Sequence, residues 1–259
     1  MDLGIEGKYA LVTGAGRGLG RSIAVNLARE GAKVAAVSRT KSDLDDLLKN
    51  MDMSRKSHYV IACDLTEQGM PQKIVEELKQ KFTIPDILVN NLGGDLYIKD
   101  PFCPISDWQR IFRLNLEVTI ELNNLLIPYM REQKWGRIVN VSSIASLENQ
   151  GAVPYCTVKA ALTAYSRSMG RLLAPDGIVM TSILPGAVFT EKGYWDIASR
   201  ERPEHVEKYL NERMAIKRFG TPDEIGTVVA FLCSQHASFF VGSTILVDGG
   251  QGRCFQNEQ

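Results

Sequence analysis

The feature that most constrains the fold of this chain is a strand that breaks directly into glycines. Lys8-Tyr-Ala-Leu-Val-Thr13 is a short apolar run, and Gly14-Ala-Gly-Arg-Gly-Leu-Gly20 follows it at once. A helix with apolar residues at Ile23, Leu27 and Ala28 comes next and stops near Gly31. In this setting glycines let a backbone pass close to a pyrophosphate, while the helix N-terminus offers unpaired N–H groups and a positive dipole end. Gly14, Gly18 and Gly20, with Arg17 and Leu19 between them, are therefore candidate dinucleotide contacts.

The same alternation runs on to the C-terminus. Strands are expected at Val34–Val37, His58–Ala62, Asp86–Val89, Gly136–Val141, Ile178–Leu184 and Thr244–Val247. Helices are expected at Asp43–Asn50 and Pro71–Phe82, from Ser106 to about Met130 with Ser106 as N-cap, at Thr157–Leu173, and from the capping box Thr221-Pro-Asp-Glu224 to about Cys233. Strictly alternating strands and helices imply a doubly wound parallel sheet of about seven strands flanked by helices. The 259 residues suit one such domain. The densely charged stretch 191–218, with Trp195 and Tyr209, reads either as short helices over a site or as a solvated excursion. The loop 95–105 is rich in proline and aromatics and is expected to border the opening.

Chemistry concentrates in the centre. Gly136-Arg-Ile-Val-Asn-Val-Ser-Ser143 reads as a buried strand that delivers Ser142 and Ser143 to its C-terminal end. Tyr155 and Lys159 stand four apart, so one helical face carries both. An ammonium beside a phenol is expected to lower the tyrosine pKa from about 10 toward working pH, making a proton donor and acceptor for a substrate oxygen. A neighbouring serine hydroxyl would hold that oxygen. Asn115 lies among apolar helix residues; buried, it must find partners, but it also reads as a surface or capping amide.

Taken together, these motifs resemble the single-domain branch of the short-chain dehydrogenase/reductase family from Tyr9 to Gly250. Thr13-Gly14-x-x-x-Gly18-x-Gly20 is similar to its cofactor turn, Asp64-Leu65 to its adenine contact, and Asn90-Asn91-Leu92-Gly93 to its Asn-Asn-Ala-Gly loop, with Leu92 replacing alanine. Asn115, a strand-end serine, Tyr155 and Lys159 resemble its four catalytic residues. Pro185, Gly186, Val188 and Thr190 resemble the segment that orients the nicotinamide. The general likeness is to 3-oxoacyl-[acyl-carrier-protein] reductases and related ketone reductases. It implies a Rossmann-type fold and hydride transfer between a nicotinamide and a carbonyl or secondary alcohol. Tyr155 would be the acid or base, Lys159 would bind the nicotinamide ribose, and Asn115 would hold a relay water. Alignment places the serine at Ser143, but the spacing to Tyr155 is one short of the family's usual thirteen, so Ser142 stays in view. Ser38 in place of an aspartate, followed by Arg39 and aided by Arg17, matches the family's NADP(H) pattern. Family members pair through the helices at 106–132 and 155–173, so a homodimer or homotetramer is expected, with Ala160, Ala161, Thr163, Ala164 and Ser168 either allowing close helix packing there or contacting their own sheet.

The balance of charges bounds the alternatives. Thirty basic and thirty acidic side chains cancel, so nothing favours a nucleic-acid or membrane-surface partner. No apolar run reaches the length of a membrane span, and Met-Asp-Leu-Gly-Ile-Glu does not read as a secretory leader. Five cysteines (63, 103, 156, 233 and 254) without a Cys-x-x-Cys read as reduced thiols of a cytoplasmic protein. The three histidines are too scattered for a metal cluster. Two rivals remain: a reductase or dehydrogenase of a sugar or sugar nucleotide, and a dinucleotide sensor that performs no chemistry.

Overall fold

Seven short apolar runs become seven parallel strands because the inner ones must be buried on both faces. In the computed structural model, which describes residues 1–51, 58–148 and 150–253, they are β1 (Tyr9–Thr13), β2 (Lys33–Ser38), β3 (Tyr59–Ala62), β4 (Ile87–Asn90), β5 (Gly136–Val141), β6 (Ile178–Pro185) and β7 (Thr244–Val247). They form one sheet in the order β3-β2-β1-β4-β5-β6-β7, which is a Rossmann-type arrangement. Alternation along each strand divides the core in two. Ala10, Val12, Val34, Ala36, Ile87 and Val89 face one layer. Leu11, Ala35, Val37, Leu88 and Ile138 face the other.

Helices cover both layers. The first receives α1 (Gly18–Arg29), α2 (Lys41–Asn50) and α9 (Pro222–Leu232) through Ile23, Leu27, Leu44, Leu47, Ile225 and Val229. The second receives α3 (Met70–Lys81), α5 (Val118–Gln133) and α6 (Val153–Leu173) through Ile74, Leu78, Leu122, Leu126 and Leu173. A short α4 (Ile105–Phe112) runs into α5 through a π turn at Arg113–Glu117. Beyond β6, α7 (Tyr194–Glu201) and α8 (Pro203–Arg213) stand on the charged stretch, so it is helical and not merely a solvated excursion. The strand order reverses between β1 and β4, and a sheet of this kind opens its ligand crevice at the carboxyl ends there. Among the described residues no helix is long and apolar enough to cross a membrane.

Three expectations need correction. Ser106 is not an N-cap: Pro104, with φ −55° and ψ 151°, sets the entry, and Ser106 falls inside the first turn. The catalytic-stretch helix begins at Val153, four residues before Thr157, since Pro154 suits a first turn whose N–H groups need no helical partner. Thr163 is buried against the sheet, leaving Ala160, Ala164 and Ser168 exposed on α6. Cys254 lies outside the described residues.

Close packing at the start of α1 makes a sharp prediction. A Cβ on Gly20 would lie 2.3 Å from the Gly14 carbonyl and 2.4 Å from Asn91 Nδ2, whereas one on Gly94 would meet nothing within 4 Å. Overpacking of this kind costs about 1–3 kcal/mol, and each kcal/mol moves Tm by roughly 2–4 °C at this chain length. Gly20→Ala should therefore lower Tm by several degrees and Gly94→Ala should not; calorimetry giving both the same Tm would contradict the packing described.

Candidate active site

The turn after β1 and the loop after β4 are tied together by their own side chains. Thr13 Oγ1 accepts the Asn91 and Leu92 amides at 3.0 Å each. Asn91 Nδ2 donates to the Thr13 and Gly14 carbonyls at 2.9 and 3.2 Å. This holds Gly14 at φ 65°, a left-handed conformation that glycine adopts without strain. Gly16 approaches β2 so closely that a Cβ there would lie 2.6 Å from Ser38 Oγ. That hydroxyl is buried and has no hydrogen-bond partner among the described residues. No side chain caps the first amides of α1, and its first turn holds no acid, so an anion would find both donors and dipole available.

Arg17 and Arg39 stand exposed at the same end. Arg39 Nη1 lies 4.0 Å from Asp64 Oδ2. Burial would raise the Asp64 pKa, but the Thr66 hydroxyl and amide, with Arg39, bring it below the ordinary value. Asp64 and the buried Leu65 lie on a cleft of about 1220 Å³ that extends from Gly14 and Ser38 to Gly93, Asp95 and α4. The predicted adenosine contacts are thus together. Leu19, half-buried, sits in the first turn of α1.

At the other end, Ser142 and Ser143 leave β5 in opposite directions. Ser142 Oγ donates to the Lys159 carbonyl at 3.1 Å and lies 2.9 Å from Thr163 Oγ1, which fastens α6 to the sheet. Ser143 Oγ accepts the Ala145 amide at 3.1 Å and hydrogen-bonds the Tyr155 phenol. Lys159 is 3% exposed; its Nζ donates to the Val141 carbonyl at 3.0 Å and lies 5.7 Å from the Tyr155 ring centroid. Burial lowers the Lys159 pKa to about 8. Burial also governs Tyr155, whose pKa is pushed up to about 12 against the Ser143 hydrogen bond, with Asp95 and Cys156 adding to the rise. The expected acidification by lysine is therefore absent here: burial outweighs it, and the hydrogen bond of the ammonium goes to a backbone carbonyl.

Asn115 is neither a surface nor a capping amide. It is fully buried in the π turn, where Nδ2 donates to the Gly94 and Ile111 carbonyls and Oδ1 accepts the Gly94 amide, at 2.9, 2.9 and 3.0 Å. The Ile111 carbonyl is the acceptor an α-turn at 115 would use, and taking it with a side chain goes with the widened helix. A Cβ on Gly93 would lie 2.7 Å from Asn115 Oδ1 and 3.0 Å from Lys159 Nζ. Both groups thus converge on this glycine.

The third wall follows β6. Pro185 ends the strand, and Gly186 has room only for hydrogen because Gln251 Oε1 and Asp248 crowd it. Val188 bridges Gly220, and Thr190 Cγ2 comes within 3.4 Å of where a Gly18 Cβ would be. This brings the β6 loop onto the glycine turn. Above it, Trp195 packs on Tyr209 and Phe219 with centroids 4.2 and 4.6 Å apart. Asp95, Gln150 and Gln251 belong to none of the sequence motifs. Gln251 follows the last strand at the carboxyl edge of the sheet, a position that could have flagged it; Gln150 and Asp95 carried no local signal beyond proximity to a motif.

Comparison with known proteins agrees with this geometry. The family described as Enoyl-(Acyl carrier protein) reductase matches residues 14–251. The chain is 34% identical over 258 residues to 3-oxoacyl-[acyl-carrier-protein] reductase FabG of Aquifex aeolicus, covering 96% of this chain and 99% of the relative. Among solved structures it is similar to L-sorbose reductase from Gluconobacter frateurii complexed with NADPH and L-sorbose, at TM-score 0.88 and 29% identity, covering 97% and 98% of the two chains. A 3-oxoacyl (acyl-carrier-protein) reductase from Agrobacterium tumefaciens with NADP bound gives TM-score 0.89 at 29% identity, covering 96% and 95%.

The opposed serines can be separated by experiment. Ser142→Ala leaves the Thr163 hydroxyl and the Lys159 carbonyl short of a buried partner, a loss of about 1–3 kcal/mol. It should lower Tm while sparing most carbonyl turnover. Ser143→Ala, which leaves the Ala145 amide without its acceptor, should lower Tm less and remove most turnover. A larger fall in kcat from the Ser142 change than from the Ser143 change would reverse the assignment.

Proposed function

The chain belongs to the short-chain dehydrogenase/reductase family, and on that premise we propose an NADP(H)-dependent oxidoreductase that reduces a 3-oxoacyl thioester or similar ketone. The observation that carries this is that Tyr155 is influenced by both Ser143 and the cleft residue Asp95, while Lys159 and Asn115 meet at Gly93, which lines the dinucleotide cleft. A non-catalytic sensor would leave that grouping without a use.

The residues present suit NADP(H). The orphaned Ser38 hydroxyl beside Gly16, with Arg17 and Arg39, would take an adenosine phosphate. The uncapped amides of α1 after Gly14, Gly18 and Gly20 would take the pyrophosphate. Asp64 and Leu65 would hold the adenine, and Asn91, Gly93, Pro185, Gly186, Val188 and Thr190 would frame the nicotinamide. When bound, the nicotinamide supplies or accepts the hydride. Tyr155 stays a phenol at neutral pH, its pKa about 12, and so gives a proton to the substrate oxygen in reduction; in oxidation it takes one only as the phenolate, after its own proton has left. Ser143 holds that oxygen. Lys159 would contact the nicotinamide ribose when it is bound and, as an ammonium below about pH 8, would replace the proton Tyr155 has given. Asn115, whose side chain is committed to Gly94 and Ile111, serves by keeping the Gly93 backbone in place.

A hydroxyl-rich ketone is the second reading, and Asp95 favours it. This exposed carboxylate lines the cleft and is near enough to Tyr155 to raise its pKa. It could accept hydrogen bonds from substrate hydroxyls, which an acyl chain lacks. The likeness to an L-sorbose reductase points the same way. A cytoplasmic homodimer or homotetramer joined through α5 and α6 belongs to the same proposal.

The deciding measurement is NADPH oxidation against 3-oxoacyl thioesters, keto-sugars, steroids and diketones. With the best substrate, Tyr155→Phe should remove most turnover and leave NADPH affinity nearly intact; near-native kcat would sink the assignment. Because Lys159 loses its proton near pH 8 while Tyr155 keeps its own, kcat/KM for reduction should fall as pH rises through about 8. A profile flat to pH 10 would remove Lys159 from proton delivery.

Cofactor choice gives a further test. Charge-assisted hydrogen bonds contribute about 1.5–3 kcal/mol each, but Arg39 is 73% exposed, and solvent weakens such contacts. A preference for NADPH of roughly a hundredfold is expected, and Ser38→Asp with Arg39→Ala should swing it toward NADH. Equal kcat/KM for the two cofactors in the native enzyme would defeat this.

A further inference from the structure

One side chain joins three segments that the proposed reaction must bring together. Gln251, just beyond β7, is 3% exposed. Its Oε1 accepts the Ala187 amide at 2.7 Å and occupies the space beside Gly186. Its Nε2 donates to Gln150 Oε1 at 2.5 Å and to the Tyr209 hydroxyl at 2.6 Å. Ala187 belongs to the loop after β6, Gln150 to the loop between Ser143 and Tyr155, and Tyr209 to α8. Both N–H donors of the amide are used, so releasing either contact leaves a buried group unpaired.

A second path closes the circuit. Gln150 Nε2 donates to Glu148 Oε2 at 2.5 Å, Glu148 Oε1 accepts the Arg253 amide, and Arg253 Nη2 donates to the Glu212 carbonyl of α8 at 2.7 Å. Tyr209 in turn packs on Trp195 of α7. The two helices above the opening are therefore linked to the β6 loop by side-chain hydrogen bonds and ring contacts as well as by the chain that runs from Thr190 into α7.

We propose that Gln251 is a positioning residue that couples the Pro185–Thr190 loop to α8, so that filling the dinucleotide site orders the wall of the substrate opening. Its side chain transmits the order from the Ala187 amide to the Tyr209 hydroxyl and the Gln150 amide. Coupling of this kind is reciprocal: ordering α8 must favour cofactor binding by the same factor. This rests on the cofactor reading above.

Amide hydrogen exchange across α7 and α8, with and without NADPH, tests it, alongside a fluorescence titration of NADPH. In the native protein, saturating NADPH should slow exchange in α8 by about two- to tenfold, the range one neutral hydrogen bond supports. Tyr209→Phe should lose that protection and, by the same reciprocity, weaken NADPH binding by no more than that factor. Gln251→Leu should lose it too and bind NADPH more weakly, because the Ala187 amide loses its acceptor; if it does not fold, Tyr209→Phe decides alone. Equal protection of α8 in the native protein and Tyr209→Phe overturns the coupling, as does NADPH binding to the native protein without α8 protection. Failure of the titration itself overturns the cofactor reading and the coupling with it.

Discussion

The reacting end of this molecule depends on the burial of one ammonium group. Lys159 lies against the sheet with Nζ on the Val141 carbonyl at 3.0 Å, and a buried charge is tolerable only with such a partner. The bond is cooperative with its surroundings. Ser142 holds the carbonyl of the same lysine, so both ends of Lys159 are attached to β5 or its immediate extension, and α6 has little freedom to slide. Tyr155, one turn earlier, is placed by that attachment. Gly93 must then be glycine because Lys159 Nζ and Asn115 Oδ1 already occupy the space of a side chain.

That arrangement separates two ideas that the Tyr-x-x-x-Lys spacing merges. Four residues on a helix put two side chains on one face, but do not say which atoms meet. Here the ammonium passes over the ring, 5.7 Å from its centroid, and is spent on a backbone carbonyl. Burial therefore dominates both groups, moving the phenol up and the ammonium down. The pair is suited to holding its protons near neutrality and releasing one when a substrate oxygen becomes basic, which is the demand of reduction.

The sheet was legible because two-sided burial forces uninterrupted apolar runs, and seven of these, parted by helical periodicity, admit little besides a doubly wound fold. Strand positions differ from expectation by a residue or so at their ends. Helix starts were less legible. Ser106 looked like a cap although Pro104 did the work, and Thr157 looked like a beginning although Pro154 could enter the first turn. The adenosine end could be read because its chemistry is local: a glycine turn, then Ser38-Arg39 at a strand end. Gln251 could not, since its three partners lie 42 to 101 residues away in sequence, and only tertiary structure brings them into reach.

The same division explains why likeness to several enzymes leaves the substrate open. The parts held to the sheet, from the turn at Gly14 to Lys159 on α6, are fixed by sheet geometry and hold nothing particular to one carbonyl. An acyl reductase and a sugar reductase overlay this chain with TM-scores of 0.89 and 0.88, so the sheet cannot be what distinguishes them. Specificity must sit on segments free of the sheet: the loop at 95–105, the loop at 147–151, and α7 with α8. In this chain two of those carry groups out of keeping with a purely apolar channel, namely Asp95 and the Glu148–Gln150 pair. The latter is turned inward to Arg253 and Gln251, whereas Asp95 lines the cleft, as Asp43, Asp64 and Glu117 also do. Substrate choice then turns on whether the Asp95 charge meets a hydroxyl-bearing carbon or is simply bypassed by a chain lying along α4.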